Sequence, residues 1–253
     1  MECKLCREDE ELCESHIVPE FLYEGLYDAE KHRFVQVAGE GQSESKKIFQ
    51  KGLREPMLCK DCELKLSQWE DYAKRIIFGG EELEQERFKD FLIVRGVEYK
   101  KFKLFMLSLI WRAGASTRKE FATITLSPHE EKIRKMLLAD NPGEPHEYGC
   151  FLILTPSHFE TMQGMMMLGQ PSRWGQFRCY HFVVAGFTWV FLVDSHLQGL
   201  PEKEKFLLSR DGTLPIVIDD KASKVYLEKT VIDWGKTWKI AEATKRMQPR
   251  KKK

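Results

Sequence analysis

The sequence predicts an α+β protein, on three observations. Four cysteines stand in two Cys-x2-Cys pairs, Cys3 with Cys6 and Cys59 with Cys62, and 52 residues separate the pairs. Between about residue 61 and residue 139, apolar side chains recur at three- and four-residue steps, the period of an amphipathic helix. From residue 150 onward the chain changes to short β-branched and aromatic runs divided by turn residues, which is how strands read. These divide the chain into a cysteine-stapled module at 1–80, an α+β domain of helices and a mainly antiparallel sheet at 81–247, and a basic tail at 248–253.

Each Cys-x2-Cys pair can grip one ion through two thiolates, and two grips close the tetrahedral site that structural zinc prefers. Cys3, Cys6, Cys59 and Cys62 are therefore the predicted ligands of a structural Zn2+. Between them, Ser15-His16-Ile17-Val18-Pro19 leads into Phe21, Leu22 and Tyr23, apolar residues placed to pack beside the metal. Residues 28–51 are polar and read as a long insertion. The helix after the second pair is expected over 61–78, stopped by Gly79-Gly80. Leu66, Trp69, Ala73, Ile76 and Ile77 form its buried stripe, and Glu63, Ser67, Glu70 and Lys74 an exposed polar face.

The charged connector 81–90 that follows can be read as a separate helical piece. The spacing of Phe102, Phe105, Met106, Leu109, Ile110 and Ala113 predicts a core helix over 99–113, with Arg112 near its end as an internal ion-pair or capping partner. Ser127, Pro128 and Glu130 predict a capped helix start, running to about Ala139. Strands are expected at 150–154, 180–184, 187–193 and 214–218, with Ala185-Gly186 as a tight hairpin turn. Met165 to Met167 read as a flexible apolar cluster, and 233–247 as a last helix. Cys13, Cys150 and Cys179 read as core thiols, and His129, His146, His158, His181 and His196 lack ligand spacing.

With 42% hydrophobic and 31% charged residues, the chain reads as soluble and globular. No run approaches the roughly 18 apolar residues of a membrane span, and from the polar N-terminus no secretory signal is expected. Cysteines in metal spacing rather than a disulfide framework suit a reducing compartment, so a cytoplasmic location is expected. The net charge of +1 hides an asymmetry. Residues 1–99 carry 15 Lys+Arg against 23 Asp+Glu, and residues 100–253 carry 25 against 16. Attraction for nucleic-acid phosphates is expected mainly from the second half.

The order of first cysteine pair, His16-Ile17-Val18-Pro19, Leu58-Cys59-x2-Cys62 and helix resembles the HNH endonucleases over about residues 1–75. The resemblance implies a treble-clef, or ββα-metal, module with His16 as general base on water and one catalytic Mg2+ or Mn2+. The chain departs from the family pattern at three positions. Ser15 stands where a metal-binding Asp or His precedes the base, Arg54 where Asn is usual, and Glu63 where Asn or His is common. Carboxylates are acceptable ligands of these hard cations, so Glu63 and Glu14 are the candidates for the catalytic metal, with Glu70 a third. The activity implied is hydrolysis of phosphodiester bonds, in DNA or RNA, with a place in antiviral defence. The alternative is a non-catalytic zinc-binding adaptor for a protein or nucleic-acid partner.

Overall fold

The computed structural model describes residues 1–27, 34–38, 45–49, 51–156, 159, 163–174, 177–194 and 204–219. At the N-terminal end, β1 (Leu12–His16) is followed by β2 (Phe34–Ala38) and β3 (Ser45–Phe49), which pair with each other as a hairpin within the insertion. The chain then returns as β4 (Arg54–Cys59), antiparallel to β1, with His16 opposite Arg54 and Leu12 opposite Cys59. β4 runs without a break into α1 (Lys60–Phe78).

α1 starts where Asp61 and Glu63 put negative charge at the positive end of the helix dipole. It stops at Gly79, whose φ of 88° an L side chain would resist. Cys62, Leu66, Trp69 and Ala73 line its buried side as expected, joined by Tyr72, while Ile76 and Ile77 are only half-buried. The Tyr72 hydroxyl accepts the Glu98 N–H at 2.6 Å and so ties α1 to the start of the next helix.

After α1 come β5 (Glu84–Arg87), β6 (Phe91–Arg95), α2 (Tyr99–Ala115) and α3 (His129–Leu138), then β7 (Cys150–Leu154), β8 (Met167–Trp174), β9 (Phe177–Val184), β10 (Phe187–Leu192) and β11 (Leu214–Ile218). Seven of these strands form one sheet in the order β5-β6-β11-β7-β10-β9-β8. All neighbours are antiparallel except β11 and β7. β9 and β10 are joined by Ala185 and Gly186 at φ of 53° and 83°, the left-handed pair that a two-residue hairpin needs.

α2 is buried almost all round, which marks a helix enclosed by its own protein rather than one on a surface. Phe102 and Phe105 meet Trp189 of β10 at ring-centroid distances of 6.2 and 6.0 Å. Lys103 is also enclosed, and its ammonium donates to the carbonyls of Pro145 at 3.2 Å and Tyr148 at 3.1 Å. One contiguous apolar cluster extends from Cys3 through α2 to Ile216, joining the cysteine end to the sheet. The opposite face of the sheet buries Phe151, Phe177, Cys179, Val190 and Leu192.

Four expectations need correction. The connector 81–90 holds β5, a fully exposed edge strand, because the segment has no apolar stripe for a helix to bury, while β6 offers its backbone a ladder. Ser127 makes no capping hydrogen bond, and α3 starts after Pro128. Met167 is buried at the start of β8 rather than in a flexible cluster. Glu70 is drawn out of the exposed polar face into an ion pair with Arg112. The helix expected over 233–247 and the basic tail 248–253 lie outside the described residues, as do His158 and His196. None of the described helices is long and apolar enough to cross a membrane.

Candidate metal centre and the histidine beside it

Cys3 and Cys6 are presented by a tight N-terminal loop in which Cys3 N–H donates to Glu8 and Arg7 N–H donates back to Cys3. Cys59 is the last residue of β4 and Cys62 lies in the first turn of α1. Their four Sγ atoms all lie within 4.8 Å of one another, and Cys6 Sγ is 3.8 Å from Cys59 Sγ. Zinc–sulfur bonds of about 2.3 Å at tetrahedral angles give a sulfur–sulfur edge of about 3.8 Å. The four cysteines thus form a group that can hold a metal ion such as zinc.

The local electrostatics suit thiolates. Burial by itself would raise the Cys3 thiol, but main-chain N–H groups of Cys6, Cys59 and Leu5 bring it down to about 7. The Cys59 N–H lies 3.3 Å from Cys3 Sγ. Cys62 is pushed far up by burial and by the neighbouring thiols. A cation among the four would reverse that push, because each thiolate gains what its neighbours now oppose. Cys13, one strand position from the edge of this group, is not part of it.

Alternation along β1 sends Ser15 and His16 to opposite sides. Ser15 is 1% exposed, and its hydroxyl accepts the Leu58 N–H at 3.1 Å and approaches the Cys13 carbonyl at 3.3 Å. That hydroxyl is committed to the β1–β4 pairing. His16 is partly open, and its carbonyl accepts a 2.9 Å hydrogen bond from Arg112 Nη1. Its Nε2 lies 2.6 Å from Glu20 Oε2, in ion-pair range but off the line of a ring hydrogen bond.

Glu20 opens the 3-10 turn Glu20–Leu26 and is itself fixed: the Tyr27 hydroxyl donates to Oε1, and the Gly52 N–H donates to Oε2 at 3.1 Å. Gly52 is required there, since a Cβ would stand 2.6 Å from the Tyr23 ring and 2.9 Å from Glu20 Oε2. Burial opposes ionisation of Glu20, but these donors and His16 hold its carboxyl below the ordinary range. His16 is lowered chiefly by burial and then by the Arg54 guanidinium, with Glu20 acting against both. Burial and Arg54 together favour the neutral imidazole.

The other predicted site residues do not converge on His16. Glu63 is half-buried in the first turn of α1, and its Oε1 is buried without a hydrogen-bond partner. Its charge raises the thiol of Cys13 and the carboxyl of Glu70, which places it on the Cys13 side of α1. Glu14 is exposed on β1. Glu70 pairs with Arg112 at 2.7 Å, and burial still raises its carboxyl. Among the described residues, the four cysteines are the only group of three or more ligating side chains this close together. The partner that the sequence reading missed is Glu20. Its signal was the four-residue spacing from His16, which a turn can close but a strand cannot.

Two smaller clusters stand apart from this site. Cys179 Sγ lies 3.0 Å from Ser172 Oγ and 3.5 Å from His181 Nε2, inside the sheet. His129 Nδ1, at the start of α3, meets the Tyr148 hydroxyl at 3.2 Å. Comparison with protein-family models, with curated proteins and with solved structures finds no match in any of the three.

Proposed function

We propose that this chain is a zinc-stapled, treble-clef protein of the HNH kind that hydrolyses phosphodiester bonds in nucleic acid, with His16 as the general base. The observation that carries the reading is the His16 imidazole at the end of β1, its Nε2 2.6 Å from the Glu20 carboxylate, on a β1–β4–α1 frame whose corner is the four-cysteine group. A neutral imidazole can take a proton from water as it attacks phosphorus, and the adjacent carboxylate stabilises the imidazolium that forms. Arg112 holds the His16 main chain, so the ring is positioned from both sides. Zinc at Cys3, Cys6, Cys59 and Cys62 fits the thiol geometry and would fix the loop, the strand end and the helix start as one unit.

A catalytic Mg2+ or Mn2+ does not fit equally well. Ser15 is committed to Leu58, Glu70 to Arg112, and Glu63 and Glu14 form no group with His16. No step is therefore assigned to such an ion. The test is nicking of supercoiled plasmid by the zinc-loaded chain, with and without added Mg2+ or Mn2+. Loss of nicking in His16→Ala, with zinc content and melting temperature retained, supports the reading, and undiminished nicking removes His16 from the mechanism. The lack of carboxylate convergence favours one second reading, a zinc-binding adaptor for a protein or nucleic-acid partner. It predicts one zinc per chain and binding without nicking. Reduced thiols throughout suit a cytoplasmic setting for either.

A further inference from the structure

Beside His16 the structure leaves two guanidinium nitrogens buried without an acceptor, Nε of Arg54 and Nε of Arg118. Arg54 opens β4 directly opposite His16. Arg118 comes from the segment after α2 and donates from Nη1 to the Arg54 carbonyl at 2.9 Å, so its guanidinium lies against the β4 main chain at Arg54. Neighbouring carboxylates occupy other atoms. Glu120 is 3.3 Å from Arg118 Nη2, and Glu20 is 3.9 Å from Arg54 Nη2, too long for a hydrogen bond. Glu55, beneath them, is fully used by Lys4, Ser116 and Thr117. The Arg54 and Arg118 side chains are 31% and 30% exposed, so each reaches the surface from a buried root.

The two Nε atoms are closed to solvent, so a ligand can meet these side chains only at their outer guanidinium ends, and a guanidinium matches the oxygens of a phosphate better than any other side chain. Arg54 puts a cation directly across the β1–β4 pair from His16.

We propose that Arg54 and Arg118 form a clamp for the oxygens of one backbone phosphate of a nucleic-acid strand, holding it next to His16; this rests on the phosphodiester reading of the site. The clamp supplies position and charge and takes no part in proton transfer. DNA and RNA share the phosphate chemistry, so both serve as probes.

The test uses the full zinc-loaded chain and fluorescein-labelled single strands of DNA and of RNA, with binding followed by anisotropy between about 50 and 200 mM salt. Arg54→Gln and Arg118→Gln should each weaken binding about tenfold and reduce the slope of log affinity against log salt by about 1. Arg54→Lys and Arg118→Lys should recover little of it, since an ammonium keeps the charge but not the fork. Unchanged affinity and slope in both Gln variants, with melting temperature retained, would overturn the clamp, as would failure of the wild type to bind either strand. His16→Ala is scored separately by nicking. If it nicks normally while the arginine variants lose binding, the clamp stands and His16 leaves the mechanism; if the wild type binds without nicking, the clamp stands and the hydrolytic reading falls.

Discussion

Replacing Arg112 with methionine tests how the site is held. Arg112 is 1% exposed, and its Nη1 reaches both Glu70 Oε1 at 2.7 Å and the His16 carbonyl at 2.9 Å. At that separation, with an effective dielectric constant near 20, the attraction is about 6 kcal/mol before desolvation is subtracted. Removing one partner of such a pair typically costs about 3–5 kcal/mol, because the other is left buried and charged. Glu70 retains some solvent contact at 22% exposure, so Arg112→Met is expected to cost about 3 kcal/mol. In a chain of this size that lowers the melting temperature by about 6–12 °C.

The cost should depend on pH in a defined direction. Burial raises the Glu70 carboxyl and Arg112 lowers it, so the variant raises it further. A carboxyl with a raised folded-state value favours folding when protonated and loses that contribution as pH rises from its unfolded to its folded value. The destabilisation should therefore be smaller at about pH 5 than at about pH 8. Urea denaturation of the zinc-loaded protein at both pH values measures it. The double variant Glu70→Leu/Arg112→Met should recover most of the loss, since an apolar pair leaves no orphan charge. A cost under about 1 kcal/mol at pH 8, or no recovery in the double variant, would refute the assignment of this pair.

Cys59→Ser should abolish binding of the single zinc measured by elemental analysis. Apparent zinc binding energies of about 10–16 kcal/mol in such sites mean that a strong chelator should produce the same loss of folded structure, followed by circular dichroism. If nicking is observed, its acidic limb should fall below the ordinary imidazole value of 6.5, because burial and Arg54 lower His16. Glu20→Gln should move that limb down and Arg54→Gln should move it up, and the opposite pair of shifts in kcat/KM profiles would dismiss His16 as the titrating base. Burial lowers Lys103 to about 8, so the folded lysine gives up its proton before the unfolded one does. Relative to Lys103→Met, wild-type stability should rise between about pH 8 and pH 10.5, and parallel stability curves would contradict this.

The parts of the fold legible in sequence were those whose local signals agree with their surroundings. α1 ends where Gly79 says it should, β7 and β11 match their apolar runs residue for residue, and the cysteine spacing named the metal group. The parts that were not legible depend on partners distant in sequence. β5 has no apolar alternation and exists because β6 offers a ladder, and β8 is interrupted by Gly169 and Pro171 yet pairs with β9. Of the two roles open to Arg112, ion pairing and capping, the structure shows the ion pair, but its partner Glu70 was placed in solvent, since a helical period alone cannot show which polar residue meets a buried cation. At the site, His16 was found by motif, whereas Glu20, Arg54 and Arg118 are brought together only by the turn, the return of β4 and the segment after α2.

The place of β11 in the sheet bears on how the chain must be made. β6 is translated more than a hundred residues before β11, and β7 some sixty before it, yet β11 is the strand that lies between them. While the ribosome is still short of Leu214, both neighbours present open backbone edges, and the two halves of the sheet have no shared ladder. The sheet is therefore completed late, by insertion rather than by growth outward from a hairpin. Nascent chains stalled or truncated before residue 214 should be the species that chaperones hold and that aggregate when released.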